Sequence, residues 1–141
     1  MPKLCADFSN PTVFPDNHPF PPAPSNFVLA GFTFKQVGGT NPLFVNSTGA
    51  EQGLQFTPQG LRIKLPCPKR RVELRLGTFA GAVDIAMYGT SGSLINTRTI
   101  AGTNTYQNIV LLTAKPMARL VLTKGGYEGI LVRICINYRC D

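Results

Sequence analysis

A two-residue alternation of apolar and polar side chains, interrupted at short intervals by Gly, Pro or Asn, constrains the fold of this chain more than any other feature of it. In Leu61-Arg-Ile-Lys-Leu65 the residues Leu61, Ile63 and Leu65 point one way and Arg62 and Lys64 the other, as successive side chains of a half-buried strand do. Val72-Glu-Leu-Arg-Leu76 repeats the pattern beyond Pro66-Cys-Pro-Lys-Arg70, which reads as a turn. Further strands read at 27–35, 53–56, 82–88, 94–99, 108–113, 118–123 and 129–138. Between them lie breakers such as Gly38-Gly39, Gly89-Thr-Ser-Gly92, Ala114-Lys-Pro116 and Lys124-Gly-Gly126. No stretch keeps a helical period over a dozen residues, so the expectation is an all-β antiparallel sandwich of eight or nine strands.

Length and composition agree with one globular domain. The 141 residues are enough to bury a single core, and 43% hydrophobic against 15% charged residues is not a disordered composition. No window is apolar for long enough to make a membrane-spanning helix, and the first residues lack the apolar core of a secretory signal.

Residues 1–26 differ from the sandwich expected over 27–141. Six prolines fall between Asn10 and Ser25, and each fixes φ and removes a backbone donor, which excludes a helix or a central strand. With Phe14 and Phe20 as apolar anchors, this arm either packs across its own domain or docks on another molecule.

The parts of an active site are scarce. The only histidine, His18, lies in the proline-rich arm, and the acids are limited to Asp7, Asp16, Glu51, Glu73, Asp84, Glu128 and Asp141. A nucleophile needs a base and an orienting partner, and glycosidase chemistry needs two converging carboxyls. Neither pattern is visible, so a non-enzymatic role without cofactor or catalytic residues is expected. The four cysteines, Cys5, Cys67, Cys135 and Cys140, form no CxxC pair, which argues against zinc and for disulfides in an oxidising compartment.

The formal charge of +7 directs attention to the basic residues. If the strands on either side of Pro66–Arg70 are neighbours, Arg62, Lys64, Arg71 and Arg75 share one face, with Lys69 and Arg70 at the turn and only Glu73 among them. Such a face suits an anionic glycan or another anionic surface; a solvated face whose charges deter edge pairing is the alternative. Nucleic acid is disfavoured, because no aromatic residues are interleaved with the cations for base stacking. Trp is absent, which leaves Tyr88, Tyr106, Tyr127 and Tyr138 as sugar platforms, and Tyr106 and Tyr127 lie in or beside loops. Asn46-Ser-Thr48 fits an N-glycosylation sequon.

Taken in order, Cys5-Ala-Asp-Phe8, Gly53-Leu-Gln-Phe56, Gly60-Leu-Arg-Ile-Lys-Leu-Pro66, Val72-Glu-Leu-Arg-Leu-Gly-Thr-Phe-Ala80 and Gly125-Gly-Tyr-Glu-Gly-Ile-Leu131 resemble a galactose-binding-like jelly-roll module of bacterial secreted and surface proteins. The resemblance implies a jelly-roll sandwich, an extracellular or cell-surface location, and binding of glycans or a part in larger assemblies. It also implies that the first and last segments run side by side, bringing Cys5 near Cys135 or Cys140. A Cys5–Cys135 bridge would leave Cys67 and Cys140 as a second pair or as free thiols. A structural calcium ion held by Asp7 with Glu128 or Asp141 is a further implication, opposed by the low density of acids. Two roles follow for comparison: a glycan-binding module using Tyr106, Tyr127 and the basic face, or a self-assembling subunit of a surface layer, filament or appendage, a homo-oligomer built through the arm and cysteines.

Overall fold

The computed structural model describes residues 2–39, 41–48, 51–137 and 140. Eleven strands follow one another, with no helix among the described residues: β1 (Lys3–Asp7), β2 (Pro19–Phe20), β3 (Asn26–Leu29), β4 (Phe32–Gln36), β5 (Leu43–Thr48), β6 (Glu51–Phe56), β7 (Leu61–Thr78), β8 (Val83–Gly89), β9 (Leu94–Ile100), β10 (Tyr106–Lys124) and β11 (Gly129–Asn137). All pairings are antiparallel. No described helix is long and apolar enough to cross a membrane.

Two long strands organise the molecule. β7 and β10 pair from Tyr106–Gly77 at one end to Leu122–Leu61 at the other, and the register is broken between Leu112 and Met117. At that break the ribbon passes from one layer of the sandwich to the other, as strands that switch sheets do at bulged corners. The first layer runs β2-β5-β6-β11-β7-β10, with β1 also on β11; the second runs β3-β4-β7-β10-β8-β9.

Pro66–Arg70 and Ala114–Pro116 are therefore not turns. The segments 61–65 and 72–76 belong to one strand, as do 108–113 and 118–123. The prolines occupy this position because the corner makes no β7–β10 ladder pairings: no residue of β7 between Lys64 and Lys69 is paired with β10, and none of β10 between Leu112 and Met117 is paired with β7. Conversely, 27–35 is a hairpin rather than one strand. Ala30 and Gly31 both have positive φ, at 53° and 82°, the backbone a two-residue turn between right-twisted strands requires.

Strand alternation produces the core. Phe32 and Phe34 of β4, Leu61, Ile63, Leu65, Val72, Leu74 and Leu76 of β7, and Leu120 and Leu122 of β10 are all buried. Each contributes roughly 1.5–3 kcal/mol of apolar burial.

The proline-rich segment packs on its own chain. Phe8, Phe14, Phe20, Phe27 and Phe34 form a continuous ring cluster with centroids 4.4 to 5.7 Å apart. His18 sits between Phe14 and Phe20 as part of it. The buried Gln52 side chain donates to the carbonyl oxygens of Phe8 and Phe14 at 2.8 and 2.7 Å, tying the segment to β6.

Both cysteine pairs are bridged. Cys5 and Cys135 face each other across the β1–β11 ladder, and Cys67 at the corner of β7 joins Cys140.

Candidate functional site

The continuity of β7 divides the basic residues. Arg62 and Lys64 lie before the corner and Arg71 and Arg75 beyond it, with about 40 Å of strand contour between Arg62 and Arg75. The expected single cluster does not form, because the strands thought to be neighbours are successive lengths of one strand. Two faces result, with different chemistry.

On the outer face of the first layer, every cation at the β7 positions is engaged. The Arg75 guanidinium takes both carboxylate oxygens of Glu51 and also donates to Asn108 Oδ1 at 2.9 Å. Glu73 accepts from Lys3 at 2.9 Å and lies 3.7 Å from Arg71. Hydrogen bonding from Arg75 holds the Glu51 carboxyl below the ordinary carboxylate value, and that from Lys3 does the same for Glu73. Register pairs Arg75 with both Arg133 of β11 and Asn108 of β10, so these side chains share the face. Lys3, Glu73, Arg75, Asn108, Val110 and Arg133 line a pocket of about 230 Å³ there.

Tyr106 and Tyr127 have different environments. The Tyr106 hydroxyl donates to the carbonyl oxygens of Thr48 and Glu51 at 2.8 and 3.2 Å, and its ring packs edge-on to Phe79. Burial raises its pKa. The ring covers Gly77, where an added Cβ would lie 2.9 Å from it. Tyr106 is thus a clamp on the ends of β5 and β6 rather than an open platform. Tyr127 is 65% exposed and, with the exposed Phe44, borders a shallow apolar dent of about 130 Å³. Its carbonyl oxygen accepts from Gln55. Tyr138 lies outside the described residues.

The second layer presents the other face. Lys35 of β4 stands opposite Arg62 of β7, Lys64 opposite Arg119 of β10, and Arg119 opposite Tyr88 of β8. The Arg119 guanidinium lies over the Tyr88 ring, 4.7 Å from its centroid. None of these four cations makes an ion pair with a described carboxylate.

Sequence reasoning located Arg62, Lys64, Arg71 and Arg75 but missed Lys35, Arg119, Arg133, Asn108 and Lys3. Their strand parity was a usable signal; their register partners were not. Among the described residues no group of three or more His, Cys, Asp or Glu side chains gathers as a metal would require. Asp7 instead accepts from the Ser9 amide and pairs in register with Arg133, while Asp141 lies outside the described residues. Asn46 of the sequon is half-buried and its side-chain amide donates to Gln55.

No protein-family model matches the chain, and no curated protein matches it. Among solved structures, it is similar to a mutant of a family 29 carbohydrate-binding module prepared to probe ligand recognition, with a TM-score of 0.53 at 12% identity over 97% of this chain and 89% of that one. It also matches a carbohydrate-binding module from Cellvibrio mixtus lichenase 5A in complex with cellotriose, with a TM-score of 0.43 at 13% identity over 69% of this chain and 86% of that one. At 12% identity, the first of these is a likeness of fold: the chain has the β-sandwich of such modules.

Proposed function

We propose that this chain is a non-catalytic glycan-binding module and that the outer face of its first layer holds the sugar. The pocket beside Arg75 is the observation that carries the reading. Glu51 and Asn108 fix the Arg75 fork in place before any ligand arrives, and Arg133, Lys3 and Glu73 add further donors and an acceptor around the same 230 Å³. Sugar hydroxyls both donate and accept, so a wall carrying both functions in a fixed geometry suits them, and prior ordering lowers the entropic cost of binding. Glu73 is the one carboxylate lining the pocket and is held ionised by Lys3, the opposite of a carboxyl poised as a general acid.

The fold likeness to carbohydrate-binding modules supports the reading, and the two disulfides support an extracellular or surface location. Assembly through the arm is less well supported, since Phe14 and Phe20 would have to leave their own ring cluster to dock elsewhere.

A glycan array followed by calorimetry tests the proposal. Saturable oligosaccharide binding is expected, with Arg133→Ala and Asn108→Ala each weakening it about tenfold at an unchanged melting temperature. An array without hits, or hits insensitive to both substitutions, refutes it.

A further inference from the structure

We infer that the outer face of the second layer is a separate docking surface for an acidic polysaccharide, one carrying carboxylate or sulfate groups along its chain. Lys35, Arg62, Lys64 and Arg119 form two like-charged cross-strand pairs on three adjacent strands. Neighbouring strands are about 4.8 Å apart, and like charges placed directly opposite destabilise a sheet. The acids in ion pairs hold other cations: Glu51 and Glu73 hold Arg75, Lys3 and Arg71 on the first layer, and Asp84, which shares the outward side of β8 with Tyr88, is held by Lys124 and Thr99 at the far end of the strand. Four cations without an ion-pair partner among the described carboxylates therefore share this one face.

Protection of a sheet edge does not explain the cluster. The edges of this layer are β3 and β9, whereas Lys64 and Arg119 belong to the interior strands β7 and β10. Nor is Arg119 a loose surface side chain. Its guanidinium is stacked on Tyr88, and its Nε is buried without a hydrogen-bond acceptor. The cation is oriented by a ring, so its charge remains available to an external anion.

The surface is formed by sheet, with cations on successive strands, and suits a flexible polyanion lying across them. Tyr88 is the ring beside this cluster, and Arg119 covers it, leaving no open ring there for a nucleobase. The surface is independent of the pocket beside Arg75, because its cations lie on the opposite layer.

Polygalacturonate, dextran sulfate, uncharged dextran and duplex DNA are the probes, titrated against the full chain over a range of salt. Binding of polygalacturonate or dextran sulfate is expected, the pair of polymers distinguishing carboxylate from sulfate as the preferred group. Affinity should fall with salt by counterion release. The double variant Arg62→Gln/Lys64→Gln should weaken binding at least about tenfold and reduce the log–log salt slope by about two. Lys115→Gln, an exposed cation elsewhere on β10, should leave both unchanged, and Arg133→Ala should leave polyanion binding intact. Equal loss in Lys115→Gln, no binding to either acidic polymer, or tighter binding of DNA with the same residue dependence would overturn the inference. Because the double variant removes repulsion, its melting temperature should not fall, which separates lost binding from lost folding.

Discussion

Cys5 lies directly across the β1–β11 ladder from Cys135, their Cα atoms 4.1 Å apart, and the bridge closes a loop that spans 130 positions of sequence. Constraint of the unfolded chain grows with loop length. Replacing both residues, Cys5→Ser with Cys135→Ser, should lower unfolding free energy by roughly 2–5 kcal/mol, read by chemical denaturation with Cys67–Cys140 left oxidised.

The Glu51–Arg75 fork makes stability depend on acid. Glu51, Glu73 and Asp84 each titrate lower folded than unfolded, because Arg75, Lys3 and Lys124 respectively donate to them. Their contribution is fully present above the unfolded carboxyl value near pH 4 and is lost as pH falls through the lower native values, where the unfolded chain binds more protons. Melting temperature should therefore be flat from about pH 6 to 5 and decline below about 4. Glu51→Gln should make that decline shallower.

Gln52 supplies the polar tie for the proline-rich segment. Gln52→Leu preserves apolar volume but leaves the carbonyl oxygens of Phe8 and Phe14 without their donor, a loss of about 1–3 kcal/mol. Limited proteolysis should then cut first between Asn10 and Ser25, whereas the parent chain resists there.

Gly53 sits where β6 and β11 approach too closely for a side chain. A Cβ at this position would lie 2.5 Å from the carbonyl oxygen of Leu131, a backbone atom that cannot swing aside. Gly53→Ala should cost about 1–3 kcal/mol, measured as a shift in denaturant midpoint.

Much of this architecture is legible along the chain, since period-two alternation is a local property. The buried Leu61, Ile63 and Leu65 and the exposed Arg62 and Lys64 follow from it. Pro66 and Pro68 misled because a missing N–H marks any place without a ladder bond, and a sheet corner is as good a place as a turn. The Ala30–Gly31 hairpin was hidden because Ala rarely adopts the left-handed backbone that it holds there. Which cations share a face depends on register, and register depends on the bulge between Leu112 and Met117. The pairing of Lys64 with Arg119 therefore emerges only in the folded molecule. Tyr106 read as a loop ring; its role as a clamp requires Thr48 and Glu51 to arrive beneath its hydroxyl.

β11, the last of the described strands, is not an edge of its layer. β11 inserts between β7 on one side and β1 with β6 on the other. During synthesis those three earlier strands emerge from the ribosome with no partner for the edges that β11 will fill, and the first layer closes only when residues beyond Gly129 have been translated. The nascent domain must remain open until β11 arrives, so a premature stop before Gly129 should produce an aggregating species rather than a shorter working domain.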